Sequence, residues 1–297
     1  MVSPVFSNSS FTYTYDNNGN QTQVKSILTG AATNYSYDAQ NELVAATMLG
    51  GTASYAYDAQ GRRVERSSNT ATGQPIYYVY DSQDIVAEVD GSGNLIALFT
   101  HGPNIDEPLE LRQGSGTEYF IHADALGSVI AHTDGTGTVV ERVAYEAYGQ
   151  PVFLDMRSGS PVVESQSFTG DPFAFTGREW DGETRLYFYR ARYYDVLVGL
   201  FLRRDFIGMS ASGYLYVAAD PVNLTDPEGL ITYVCKRGLK KPYYPPGNFF
   251  PPVGSAFHEY FCVDLMDTGV PICLGWTGPP SLVLDISKRN TRQVPRR

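Results

Sequence analysis

Cysteine is scarce: the 297 residues hold three, Cys235, Cys262 and Cys273, all in the last quarter of the chain. An odd count defines no disulfide framework and leaves the redox compartment open. Basic charge is also short, with 22 Lys and Arg against 32 Asp and Glu for a net charge of -10. That balance excludes nucleic-acid binding by the chain as a whole, because a phosphate backbone needs a basic surface. No stretch approaches the roughly 20 apolar residues of a membrane span, and the N-terminus lacks the basic-then-apolar pattern of a secretory signal. Met1 to Ser10 lead straight into a repeat, so the chain reads as a fragment or the product of a truncated gene, its export signal upstream or lost. Helical periodicity is rare.

What is abundant points the other way. Tyr 22, Phe 15 and Gly 29, with frequent Val and Thr, favour strands and tight turns. Charge divides the chain: residues 231–297 carry +5 and residues 1–230 carry -15, and nine of the 18 prolines lie in the former. Such a shift marks a boundary.

Self-similarity organises the N-terminal part. Phe11-Thr12-Tyr13-Thr14-Tyr15-Asp16 is followed by Tyr35-Ser36-Tyr37-Asp38, Tyr55-Ala56-Tyr57-Asp58 and Tyr78-Val79-Tyr80-Asp81, with steps of 22, 20 and 23 residues. That period fits two strands and two turns. Tyrosines at i and i+2 project from one face of a strand, and the Asp with a following Asn-Gly or Gln-Gly makes a tight turn. Such units bury an aromatic face only by stacking into a long coiled sheet. The rings are read as packing; a sugar-binding aromatic strip is the alternative.

These units resemble the YD repeats of the RHS family, which includes the C components of insecticidal toxin complexes and the teneurin shell. His122-Ala123-Asp124-Ala125-Leu126-Gly127-Ser128 and Tyr145-Glu146-Ala147-Tyr148-Gly149 resemble two further family blocks. The most specific run spans Phe175-Thr176-Gly177-Arg178-Glu179, Leu186 to Asp195, Gly199-Leu200-Phe201-Leu202 and Asp226-Pro227-Glu228-Gly229-Leu230. The resemblance implies a mainly β fold: a spiralling antiparallel YD-repeat sheet forming part of a hollow shell, a C-terminal core-associated plug and a small variable tail. The divisions are 1–110 for the repeat hairpins, 111–230 for the core with its plug and cleavage motif, and 231–297 for the tail.

The resemblance further implies self-cleavage by an aspartyl-protease-like pair. Peptide hydrolysis needs one carboxylate to activate water and one carboxylic acid to polarise the carbonyl, and two carboxyls within about 3 Å share a proton. By position in the motif, Asp205 and Asp226 are the pair and Leu230-Ile231 is the bond cut. Pro227 fixes φ, Gly229 permits a sharp turn and close approach, and Arg204 is the cation assigned to hold one carboxylate charged. From the residues alone, both acids read as turn or cap residues, and the catalytic role is what the resemblance adds. The chain departs from the family pattern at Phe206, at Ser212-Gly213 and at Ala219-Asp220, where amides are lost and Asp220 adds a third carboxylate.

No cofactor and no metal is expected. His101, His122 and His132 are read in loop or strand-edge positions without zinc-ligand spacing. In the tail, a hairpin is expected across His258–Leu265 and Val270–Trp276. Its thiols are read as plain buried groups, with a His258-assisted thiol nucleophile or a Cys235, Cys262, Cys273 and His258 metal site left open. The last segment, Lys288 to Arg297, reads as basic and disordered. Family logic makes the tail the enclosed cargo, a toxin or its remnant. Candidate partners are a cognate immunity protein and a secretion-system component, with nucleic acid open for the tail alone, and the location is secreted or at the cell surface. Two rivals stand beside this polymorphic-toxin reading: a cell-surface adhesion or carbohydrate-binding protein, and an inactive truncated cassette.

Overall fold

The computed structural model describes residues 10–69, 74–205 and 213–230, and the backbone of four further strands, Val5–Ser7, Tyr233–Gly238, Phe257–Val263 and Ile272–Gly275. Phe206, Ser212, Ile231 and the basic segment after Lys288 lie outside the described residues.

The repeat turn is built by its aspartate. The Oδ1 atoms of Asp16, Asp38, Asp58, Asp90, Asp124 and Asp134 each accept the backbone N–H two residues on and the one four residues on, at 2.8–3.0 Å. The residue three positions on takes a positive φ, from +64° at Asn41 to +84° at Gly127, which is why glycine or asparagine stands there.

The two tyrosines of a repeat do different work. The first is buried, at 5–8% exposure for Tyr13, Tyr35, Tyr55 and Tyr78, so these rings are core and form no exposed sugar-binding strip. The second sits at a β-bulge in all four repeats, Thr14/Tyr15, Ser36/Tyr37, Ala56/Tyr57 and Val79/Tyr80, with Tyr15 bonding to the Gln21 side chain and the other three reaching further. A bulge re-aims a side chain. In the latter three it sends the hydroxyl to a carbonyl of the preceding unit: Tyr37 to Gln21 at 2.9 Å, Tyr57 to Leu43 at 2.7 Å and Tyr80 to Arg63 at 2.8 Å. Tyr145 repeats the bond to Val129 at 2.6 Å, and His101 Nε2, again at a bulge, lies 2.8 Å from the Ile85 carbonyl. The repeat therefore continues past the four units legible as Tyr-x-Tyr-Asp.

Sixteen strands, from Val5–Ser7 to Val162–Glu164, pair antiparallel in strict chain order. The sheet passes through residue 110 without a break, and its two end strands each have one neighbour, so it is open. It wraps a second, four-stranded sheet of Glu179–Asp181, Leu186–Tyr189, Arg192–Asp195 and Leu200–Phe201. Early repeats pack Tyr35, Leu43 and Tyr55 on Leu186, Phe188 and Tyr193, while late strands pack Val143 and Phe153 among Phe175, Tyr187, Tyr189 and Tyr194. Every residue of the first three inner strands is buried, so the concave side of the wrapping sheet is filled by the plug. Among the described residues the only helical pieces are two 3-10 turns, Phe175–Gly177 and Val217–Ala219.

Buried charge ties the two sheets together. Arg63, with no exposed surface, donates to Asp181 at 2.6 Å and lies over the rings of Phe188, Tyr78 and Tyr55 at 4.7–5.5 Å. Arg66 donates to the other oxygen of Asp181 at 2.9 Å. His132 corrects the strand-edge expectation: it is 1% exposed inside Val129–Asp134, with Nε2 at 2.7 Å from Asp171 and Nδ1 facing Glu141 at 3.0 Å. Burial disfavours its charge, but the two carboxylates outweigh burial and raise the imidazole pKa to about 9. No sequence spacing announces partners that come from a neighbouring strand and from the crossing into the plug.

A third sheet joins Leu224–Thr225 to Tyr233–Gly238, Phe257–Val263 and Ile272–Gly275. The last two strands pair as the expected hairpin, with Cys262 opposite Cys273. The strand Tyr233–Gly238 was not expected from its sequence.

Arg63→Met removes one partner of a fully buried pair. We predict a loss of about 3–5 kcal/mol in urea unfolding, against about 1 kcal/mol for Tyr80→Phe, which removes one neutral hydrogen bond.

Candidate active site

Asp205 leaves the inner sheet just after Leu200–Phe201, anchored by its N–H donating to the Gly213 carbonyl at 3.0 Å. Asp226 follows Leu224–Thr225 and opens a turn. Its Oδ1 accepts the N–H of Leu230, four residues on, at 3.0 Å, and Gly229, three residues on, has φ +64°. Asp226-Pro227-Glu228-Gly229-Leu230 thus shares with the repeat turn the bond to the N–H four residues on and the left-handed residue three on.

The place changes its chemistry. On the surface, side-chain and backbone donors around Asp90 and Asp134 hold those carboxyls below their usual range. Asp226 is 3% exposed, and burial pushes its pKa up to about 7, with Arg192 pulling it down and the charge of Asp205 pushing it further up. At neutral pH the same turn can hold a proton.

Asp205 is buried as well, at 3% exposure, and both acids meet one guanidinium. Arg192 Nη2 lies 3.5 Å from Asp205 Oδ2 and 3.4 Å from Asp226 Oδ2. Its Nη1 donates to the Gly213 carbonyl at 3.0 Å, its Nε donates to the Gly229 carbonyl, and its plane lies 3.6 Å from the Phe201 ring centre. Because both carboxylates touch the same nitrogen, they can be no farther apart than those two contacts laid end to end.

Arg204, the cation assigned from its position, is exposed; the arginine with a contact to each acid is Arg192. Leu230 is half-buried beside the pair, and Ile231 lies outside the described residues. Pro227 and Gly229 both serve the turn, and Gly229 cannot be replaced: a Cβ there would lie 2.2 Å from the Tyr189 carbonyl oxygen. Arg190 and Arg192 were missed although both fall inside the motif Leu186 to Asp195. Nothing in their spacing ties them to residues more than thirty positions away. Among the described residues no cluster of three or more His, Cys, Asp or Glu could hold a metal ion, and the tail's Cys and His side chains lie outside them.

The profile of the teneurin YD-shell family matches residues 3–220. The chain belongs to the teneurin YD-shell family. Over 223 residues this YD-shell chain is 31% identical to the tRNA(Glu)-specific nuclease WapA of Bacillus subtilis subsp. natto, covering 72% of the chain and 9% of that relative. Over 113 residues it is 31% identical to double-stranded DNA deaminase toxin A of Burkholderia cenocepacia, covering 38% of the chain and 8% of the relative. The crystal structure of TcdB2-TccC3-Cdc42 matches with a TM-score of 0.53 at 19% identity, over 74% of this chain and 13% of that one, a likeness of fold alone. The chain spans less than a tenth of the length of either curated relative.

Two outcomes follow for the turn. Gly229→Ala should destabilise the plug by more than about 1 kcal/mol, since neither the positive φ nor the space accepts a methyl group. For Asp226, the folded pKa of about 7 stands above the ordinary 3.8, so folding takes up a proton between these values. Its contribution is full below pH 3.8, is lost as pH rises through 7 and is flat beyond. Urea midpoints measured from pH 4 to pH 8 should fall less steeply in Asp226→Asn than in the wild type.

Proposed function

We propose that this YD-shell chain is the C-terminal delivery module of a polymorphic toxin, which separates its own tail by one cut between Leu230 and Ile231. Residues 1–230 together carry the wrapping sheet, which runs through residue 110 to Val162–Glu164, and its plug, and residues 231–297 are the cargo. The observation that carries this reading is a pair of buried acids on one guanidinium, one of them bonded to the N–H of Leu230. The YD-shell match, which ends at residue 220, and relatives named as a nuclease and a deaminase toxin support a shared carrier with a variable end.

In this mechanism Asp205 is the base and Asp226 the acid. The Asp205 carboxylate takes a proton from water as the water oxygen adds to the Leu230 carbonyl carbon, and Asp226 gives its proton to the carbonyl oxygen. Collapse of the tetrahedral centre returns that proton to Asp226 and breaks the C–N bond. The proton on Asp205 passes to the leaving amine of Ile231, so one water is consumed and both acids are restored. A secretion-system component and an immunity protein against the tail are the partners this role requires, and its location is secreted or at the cell surface.

Mass spectrometry of freshly purified chain should show a fragment ending at Leu230, while Asp205→Asn and Asp226→Asn each remain intact. A wild-type chain that stays whole, or an Asn variant that cuts normally, overturns the reading.

A further inference from the structure

The hairpin turn that joins Leu186–Tyr189 to Arg192–Asp195 faces the segment leading to the cut. Three consecutive residues of this turn hold three consecutive carbonyls. Arg190 Nη1 donates to Pro227 at 2.5 Å, the Ala191 N–H donates to Glu228 at 3.2 Å, and Arg192 Nε donates to Gly229. The next carbonyl in line is that of Leu230.

The turn is itself held from behind. Arg190 has φ +49°, a conformation glycine usually supplies at the first position of such a two-residue loop. It stays there with its guanidinium bound to Asp106 at 2.8 Å. Asp106 also bonds to Arg178, so a loop of the wrapping sheet fixes the turn through buried ion pairs. A non-glycine residue in this region persists only where its surroundings over-determine it, and such strain clusters at clamps and active sites.

We propose that Arg190-Ala191-Arg192 is a built-in substrate cradle: it binds the chain's own Pro227–Gly229 backbone in register, and Arg192 is a positioning residue that aligns both acids with the Leu230 carbonyl. This rests on the cleavage reading above. The fork of Arg192 reaches four groups at once, the two carboxylates and the carbonyls of Gly213 and Gly229, which a lysine ammonium at that place cannot reproduce. A cavity of about 270 Å³, lined by Leu230 with Arg190, Arg192 and Arg203, leaves room beside Leu230 for water.

The cradle has a second consequence. None of its three hydrogen bonds involves an atom beyond Gly229, so all survive the cut, and the new C-terminus at Leu230 stays docked, the tail then being held only through its own contacts such as the pairing of Tyr233–Gly238 with Leu224–Thr225. The plug remains closed after cleavage.

The test compares cleavage rates across pH for the wild type, Asp205→Asn, Arg190→Gln, Arg192→Lys and Arg192→Gln, and adds carboxypeptidase trimming of whatever is cut. Both Arg192 variants should slow cleavage by about 100-fold, the scale of a small misplacement of reacting groups. Arg192→Gln should also shift the pH profile, since it removes the charge beside the acids, whereas Arg192→Lys should keep it. Arg190→Gln touches neither acid and should slow cleavage without moving the profile. Leu230 should resist trimming in the cut wild type and be removed at least tenfold faster in cut Arg190→Gln. Wild-type rates in Arg190→Gln and Arg192→Lys while Asp205→Asn stays intact, or rapid trimming of wild-type Leu230, overturn the cradle and leave the acid pair standing. Normal cutting by Asp205→Asn instead removes the cleavage reading on which the cradle rests. Should the Arg192 variants not fold, Arg190→Gln and the trimming assay decide the matter.

Discussion

A carboxylate that accepts the N–H groups two and four residues downstream, with a left-handed residue between them, is the local constraint on which this molecule is built. It reverses the chain after the tyrosine strands, fixes the length of each turn, and so sets the register of the next strand. Because the turn satisfies its own backbone donors, it can sit at the sheet rim without help from elsewhere. Register in a sheet decides which face every side chain takes, so a turn of fixed length keeps the aromatic face inward from one repeat to the next.

The tyrosine hydroxyls supply what the turn cannot. A curled sheet needs neighbouring hairpins to be joined through their concave side, and the bulged second tyrosine does this by reaching a carbonyl of the preceding unit. The rings bury area and the hydroxyls fix spacing. Beneath them the plug provides the remaining apolar contacts, along with Asp181 for Arg63 and Asp171 for His132. Neither charge has a place in a hollow shell; each is tolerable because its partner arrives from the segment that fills it.

Much of this was open to inspection in the sequence, and the exceptions have physical causes. Tyr-x-Tyr-Asp announced strands, faces and turns because alternation and turn chemistry are local. Phe99-Thr100-His101 and Val143-Ala144-Tyr145 hid later units of the same design, since an imidazole can stand where a phenol stands and a small or apolar residue can fill the buried position. The acids Asp205 and Asp226 were legible through motif resemblance, and Gly229 through its turn. Arg192 was not: a guanidinium's role depends on what the fold brings to its five donors, and its partners here lie on Asp205, Gly213, Asp226 and Gly229.

Burial changes the electrostatics of the turn at Asp226. Two ionised carboxylates beside one guanidinium leave a net negative charge in a place with little water, and two protonated ones leave a net positive charge. A single proton on the pair balances the charge of Arg192, and Arg203, whose field reaches Asp205, adds a further positive charge nearby. Burial of Asp226 favours the proton there, and Arg192 lies in contact with both acids. Surface copies of the same turn face no such condition: Asp90 and Asp134 are held ionised by donors and water, and lie beside no strand to cut. Similar turns therefore hold their carboxyls on opposite sides of the usual range, according to where the fold puts them.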